Sequence, residues 1–196
     1  DNMIRLDLNE YVGLNDVERL IADGADNPTS LTAQVMKKPF SVILLDEIEK
    51  AHPNVLTALL QVLDEGILRD TKNREVSFRD SIIIATSNAG SERIRELINR
   101  GYDIEKSEQI IVDDLISSNQ FRPEFLNRFD EVTIFTPLKK SELLQIVDLI
   151  ILGVNKTLAN QKVVVKITDE AKMLLTEAGY DPRLGARPMR RVVQRV

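Results

Sequence analysis

The chain has no cysteine and a single histidine in its 196 residues. Without cysteine there can be no disulfide, no thiol catalysis and no cysteine-ligated zinc. His52 has no second histidine to pair with and stands directly before Pro53, so it reads as a helix-entry residue rather than a metal ligand. No run of about 18 apolar residues occurs, which leaves nothing to span a membrane as a helix. Asp1-Asn2-Met3 lacks the basic-then-apolar order of a secretory signal, and Met3 to Leu8 reads as a strand already under way. The chain is therefore expected to start in the middle of a domain. Repeats and low-complexity tracts are missing too. A net charge of −5 gives no reason to expect nucleic acid or a membrane surface as partner. With 43% hydrophobic and 29% charged residues, the length suits one large or two small globular domains, and a cytoplasmic setting is expected.

Against these absences stands Pro39-Phe40-Ser41-Val42-Ile43-Leu44-Leu45-Asp46-Glu47. A short continuous apolar run reads as a strand buried on both faces of a parallel α/β sheet. It ends in two adjacent carboxylates, where open α/β sheets bind ligands. This is the pattern of a Walker B element, with Asp46 holding the Mg²⁺ of a nucleotide and Glu47 orienting or polarising the attacking water. The same pattern also fits a buried strand meeting a helix N-terminus, whose dipole favours Asp and Glu. A glycosidase pair is excluded, because adjacent residues on one strand end cannot flank a sugar from opposite sides.

Along the chain, residues 3–8 predict a strand, 14–21 a helical stripe, 22–30 a loop, and 31–37 a short helix capped by Thr29 or Ser30. Pro53 opens a helix that Gly66 ends. Residues 67–78 read as a hairpin with Lys72-Asn73 in the turn, and 81–86 as a second fully apolar strand ending in Ser87-Asn88. Helices follow over 91–99, 108–118 and 123–128, and Val132-Thr133-Ile134-Phe135 reads as a third buried strand. Pro137 marks the expected domain boundary. Beyond it, Ser141 is expected to cap a helix from Glu142 to about Asn160. Residues 163–167 predict a short strand, Thr168 starts a helix that Gly179 ends, and Arg187 to Val196 begin a last one.

Three further residues bear on chemistry. Asn88, at the end of an apolar strand, could bond a γ-phosphate or the attacking water without adding charge; capping of the next helix by Ser87 or Asn88 is the simpler reading. Arg128 could reach a neighbouring subunit and neutralise a transferring phosphoryl group, or make a surface pair with Asp130. Arg187, at a helix start in the second domain, could swing onto a nucleotide, or belong to an ordinary basic helix with Arg190 and Arg191.

The order and wording of these segments are more specific than any one of them. LLDEIEKAHPNVLTALLQVLDEGILRD, VSFRDSIIIATSNAG, FRPEFLNRFDEV and GYDPRLGARPMRR closely resemble the second AAA+ module of the Clp-type unfoldases and disaggregases, from about Met3 to Val196. The resemblance implies an α/β AAA+ (P-loop NTPase) core with a parallel sheet over 1–137, lacking the part that carries Walker A. A small, mostly helical lid over 138–196, incomplete at its C-terminus, would follow. It also implies roles: Asp46 as Mg²⁺ ligand, Glu47 as catalytic glutamate, Asn88 as first sensor, Arg128 as arginine finger and Arg187 as second sensor. ATP and Mg²⁺ would be the cofactors, polypeptides the substrates, and a homohexamer the assembly, with neither nucleic acid nor membrane as partner.

Three departures qualify the resemblance. No GxxxxGK[ST] phosphate loop is present, so the chain as given is not expected to hydrolyse ATP at a useful rate. Where relatives carry a Gly-Tyr-Val-Gly-type pore loop, Ala22 to Ser30 are shorter, acidic and without an aromatic, and Tyr11 lies too early to substitute. Between Ser91 and Gln120 no loop matches those that dock a partner peptidase, Arg100-Gly101-Tyr102 being a poor candidate, so a disaggregase-like module is favoured. The expected function is thus the ATP-binding subunit of a Clp-type protein unfoldase. The alternative is a non-threading regulatory or scaffold subunit. A clamp-loader-like DNA role is disfavoured by the acidic balance.

Overall fold

The computed structural model describes residues 2–181 and 185–195. Pro182 to Leu184, inside the last quoted string, and Val196 lie outside them. The chain divides into two compact units, Asp1–Ile134 and Phe135–Val196.

The first unit is built on a parallel sheet of β1 (Met3–Asp7), β2 (Val42–Asp46) and β5 (Ile82–Ala85), with β2 in the centre. Ile4, Ile43 and Ile83 stand side by side in the register, as do Leu6, Leu45 and Ala85. This face packs on Leu20 of α1 (Asp16–Leu20), Leu31 and Val35 of α2 (Leu31–Lys37), and Val55, Leu59 and Val62 of α3 (Pro53–Glu65). Each fully buried aliphatic side chain contributes roughly 1.5–3 kcal/mol, so this layer holds the unit together. The opposite face is bare: Met3, Ile82 and Ile84 are exposed, and Val42 and Leu44 are only half-buried. The expectation that β2 is buried on both faces is therefore corrected, and the fully apolar β5 likewise shows one face to solvent. Parallel sheets are normally covered on both sides, whereas here Met3, Ile82 and Ile84 stay exposed on the second.

Local chemistry explains the element ends. Ser30 Oγ accepts from the Ala33 N–H at 3.1 Å and caps α2. His52 Nδ1 accepts from the Asn54 N–H at 3.2 Å, with Pro53 at the first helical position of α3. Gly66 ends α3 at φ 70°, a left-handed conformation that suits glycine. The hairpin of β3 (Ile67–Arg69) and β4 (Glu75–Ser77) turns through Asn73 at φ 61°. Inside that turn the buried Asp70 carboxylate accepts from the Lys72 and Arg74 N–H groups and pairs with the Arg74 guanidinium. Burial opposes its charge, but those donors outweigh it and hold its pKa below the ordinary carboxylate value.

Helices α4 (Ser91–Asn99) and α5 (Glu108–Ser117) pack around Leu97, Ile104 and Ile111. In α6 (Pro123–Leu126), Phe125 sits between Phe121 and Phe129, with ring centroids 6.1 Å and 5.4 Å away, and Phe121 and Phe125 join the main core. Residues 132–135 do not form the expected third strand: they make no ladder, and Phe135 is 88% exposed. Apolar content favours a strand only where a neighbouring edge accepts its hydrogen bonds, and no described strand pairs with this one.

The second unit holds α7 (Lys140–Leu158), α8 (Asp169–Gly179) and α9 (Met189–Arg195) around Leu143, Val147 and Met189. Ser141 is not the cap of α7; the Glu142 carboxylate instead accepts from the Lys139 N–H at 2.6 Å. Thr168 Oγ1 caps α8 through the Ala171 N–H at 3.2 Å. A Cβ on Gly179 would lie 2.9 Å from the Met189 backbone, so glycine here lets α8 and α9 touch. Residues 163–167 are not a strand either. The Asn155 side chain takes both the N–H (2.7 Å) and the C=O (2.9 Å) of Val165, doing for one residue what a ladder would do. Among the described residues no helix is long and apolar enough to cross a membrane.

Candidate functional site

The carboxyl ends of β1, β2 and β5 bring together a set of polar side chains. Asp46 is the last residue of β2. Its Oδ2 accepts from Arg5 on β1 at 2.5 Å, and its Oδ1 accepts from the Thr86 hydroxyl, just past β5, at 2.5 Å. Glu47 follows with φ 54° and ψ 52°. A left-handed backbone is uncommon for glutamate and costs energy, which marks a position fixed by its surroundings. Two contacts with Thr86 fix it: the Glu47 N–H donates to Thr86 Oγ1 at 3.2 Å, and the Ile48 N–H to the Thr86 carbonyl at 3.0 Å. The Glu47 carboxylate accepts from the side-chain amide of Asn9, which follows β1, at 2.6 Å.

Asn88 lies two residues beyond Thr86 and is exposed. Neither Ser87 nor Asn88 caps α4; Gly90 occupies that position, at φ 74°. The Ser87 hydroxyl and the Asn88 N–H both donate to Glu49, at 2.8 Å and 3.2 Å. A cavity of about 730 Å³ opens on the α4–α5 side of Asn88, but on its wall Arg93 pairs with both Glu96 and Asp114, and it includes neither Asp46 nor Glu47.

The structure thus gathers Asp46, Glu47 and the Asn88 segment at one sheet end. Arg128 is elsewhere, two residues beyond α6, and its guanidinium pairs with Asp64 of α3 rather than with Asp130. Arg187 belongs to the second unit, where it is exposed in the turn that precedes α9. Arg5, Asn9, Glu49 and Thr86 escape sequence reasoning. Only the place of Asn9 just past one predicted strand, and of Thr86 as the last residue of another, could have pointed to them.

The loop at 22–30 is firmly tied. Asp23, 2% exposed, pairs with Lys72 of the hairpin turn and accepts from the Ala25 and Asp26 N–H groups at 2.5 Å and 3.2 Å. The Lys72 ammonium first, and then the Ala25 N–H, lower its pKa to about 2 against the opposing effect of burial. Ser30 and Thr32 hydroxyls both donate to the Ala22 carbonyl, at 2.5 Å and 3.0 Å. Tyr11 is buried beneath Arg19, whose guanidinium lies 4.1 Å from the ring centroid.

A parallel sheet whose central strand ends in Asp-Glu, followed by a small helical unit, can be compared with known families. Residues 1–132 match the AAA domain (Cdc48 subfamily), and residues 138–196 match the C-terminal, D2-small domain of ClpB protein. The chain belongs to the AAA+ family, in its Clp branch. This Clp-type chain is 44% identical over 208 residues to the chaperone protein ClpB of Aquifex aeolicus, covering 100% of itself and 20% of that protein. It is 44% identical to the ATP-dependent Clp protease ATP-binding subunit ClpE of Streptococcus pneumoniae, with 99% and 26% covered. It is 43% identical to the corresponding ClpC subunit of Staphylococcus aureus, with 100% and 25% covered. The Clp-type chain thus spans about a quarter or less of these relatives' length. Among solved structures, the closed state of Hsp104 with ATPγS and FITC casein matches with a TM-score of 0.85 and 34% identity, over 100% of this chain and 34% of that one. The α/β core with its parallel sheet and the helical C-terminal unit are those of a Clp-type AAA+ module.

Proposed function

We propose that this chain carries the hydrolytic edge of a nucleotide site in a Clp-type, ATP-driven protein-remodelling machine, acting on polypeptides as a homohexamer. The carrying observation is the juxtaposition of Asp46 and Glu47 at the end of β2 with the Thr86–Asn88 segment after β5. The donor chemistry suits Mg²⁺, which takes one or two carboxylates and fills its remaining positions with phosphate oxygens and water. Asp46 would hold the ion, and when bound it would neutralise charge on the phosphates. Glu47, steadied by Asn9, would orient and polarise the attacking water, and Asn88 would bond the γ-phosphate or that water. Arg128 would leave Asp64 for the phosphates of a neighbouring subunit's nucleotide, and Arg187 would answer to nucleotide state from the small domain. In this reading 1–137 form the large domain and 138–196 the lid. With no GxxxxGK[ST] in its sequence, the chain by itself is expected to be inactive.

The test is ATP turnover of the full-length protein. Glu47→Gln should lower it about a hundredfold or more while nucleotide stays bound, and Arg128→Ala should abolish it. Normal turnover in both variants would sink the proposal.

A second reading is supported by the loop at 22–30, which has no aromatic and is pinned through Asp23 and Lys72. A tied loop without an aromatic suits a regulatory or scaffold subunit that keeps the ring but does not grip substrate. Unfolding of a tagged folded substrate by the full-length protein would exclude that reading.

A further inference from the structure

We infer that Glu49 is a positioning residue for Asn88: it fixes the segment that presents the Asn88 amide to the nucleotide. The inference rests on the proposed function and adds a residue to its machinery.

Three observations carry it. First, the Glu49 carboxylate sits in the short turn of 3₁₀ helix Ile48–Lys50, directly after Glu47, so it is fixed to the end of β2. That turn is anchored by buried Ile48, which packs in the main core. Second, its two oxygens divide their work. Oε2 accepts from the Ser87 hydroxyl at 2.8 Å and Oε1 from the Asn88 N–H at 3.2 Å. The Ser87 hydroxyl in turn accepts from the Ala89 N–H at 3.0 Å, so one carboxylate organises three consecutive residues. Third, the far end of the segment is held separately, because the Gly90 N–H donates to Gln120 Oε1 at 3.2 Å. Between β5, fixed in the sheet, and Gly90, fixed on Gln120, the Asn88 carbonyl accepts from the Ser91 N–H at 3.3 Å within its own turn, and Glu49 is the hold on Asn88 that comes from the β2 side. It reaches from the element bearing Asp46 and Glu47 to the element bearing Asn88, and so sets the spacing between the carboxylates and the amide.

The contact needs two acceptors or their equivalent, not a charge. A glutamine at 49 can accept from the Asn88 N–H through its carbonyl and donate its amide to the Ser87 hydroxyl, which is able to reverse its role. Alanine can do neither. A group acting on Asn88 alone must also become irrelevant once the Asn88 side chain is gone.

The experiment is steady-state ATP turnover of the full-length protein carrying Glu49→Ala, Glu49→Gln, Asn88→Ala and the Glu49→Ala/Asn88→Ala pair. The expectation is a loss of about tenfold in kcat for Glu49→Ala with KM for ATP little changed, the range for removing a contact that supports a reacting group. Glu49→Gln should recover most of it, and the pair should be no worse than Asn88→Ala alone. If Asn88→Ala is crippled but Glu49→Ala is normal, the inference fails and the proposed function stands. Losses that multiply in the pair, or a Glu49→Gln as impaired as Glu49→Ala, also overturn it, since Glu49 then acts as a charge or through another group. Normal turnover in Asn88→Ala would remove the role of Asn88 and the inference with it. Should Glu49→Ala fail to assemble, Ser87→Ala removes one of the same two contacts from the other side and enters the same cycle.

Discussion

The side-chain amide of Asn9 donates to the Glu47 carboxylate at 2.6 Å, so a residue following β1 determines where the carboxylate following β2 points. The two are 38 positions apart in the chain and meet only because β1 and β2 run parallel and end level, Asp7 beside Asp46.

Removing that amide should disturb the chemistry before it disturbs binding. Asn9→Ala in the full-length protein is expected to lower kcat for ATP severalfold with an unaltered KM, because one orienting hydrogen bond to a charged group is lost. An unchanged kcat would mean that Glu47 keeps its direction without help.

Arg128 and Asp64 form a surface pair, and such pairs contribute about 1 kcal/mol or less. Asp64→Asn should therefore leave the unfolding temperature nearly unchanged. Arg128→Lys should still fail to turn over ATP, since an ammonium lacks the planar, multiply donating head of guanidinium. Turnover close to normal in Arg128→Lys would remove the case for a specific arginine.

Asp23 makes an acid-stability prediction. Its folded pKa is lowered to about 2, below the ordinary aspartate value of about 3.9. A depressed carboxylate stabilises the fold fully above the unfolded pKa, and loses that contribution as pH falls from about 4 through about 2. Urea denaturation between pH 5 and pH 2, in about half-unit steps, should show a steeper acid decline for the wild type than for Asp23→Asn. Parallel curves would show that the Lys72 pair contributes nothing to folding.

Asn155 supports the second unit by satisfying both backbone groups of Val165. Asn155→Leu should cost about 1–3 kcal/mol, the sum of two ordinary hydrogen bonds, read as an earlier urea midpoint. Asn155→Asp keeps the acceptor and loses the donor, and should fall between. No difference between Leu and Asn would assign the 163–167 segment to packing alone.

What was legible in the sequence was local. Ser30 before a helical stripe, His52-Pro53 at a helix start and Gly66 at its end are decided by neighbours within a turn, and each holds as read. The apolar run ending in Asp46 is likewise local, and it lands at the carboxyl end of the sheet's central strand. Where the reading failed, a distant partner decided. Val132 to Phe135 have the composition of a strand, but no described strand pairs with them. Val163 to Ile167 were pre-empted by the amide of Asn155, and the cap of α7 by a carboxylate reaching back three residues. The companions of Asp46 and Glu47, namely Arg5, Asn9 and Thr86, lie about 40 positions away along the chain, a separation no spacing rule encodes.

The bare side of the sheet has a consequence for how the chain behaves in a tube. Met3, Ile82 and Ile84 offer water an apolar strip, and among the described residues β5 has one neighbouring strand, β2, in the sheet. An open strand edge beside exposed aliphatics is a template for self-association, opposed here by the mutual repulsion of molecules with a net charge of −5. Added salt screens the repulsion and leaves the attraction intact. The scattering of a purified sample should therefore climb with ionic strength, and an Ile82→Lys/Ile84→Lys pair should keep it flat.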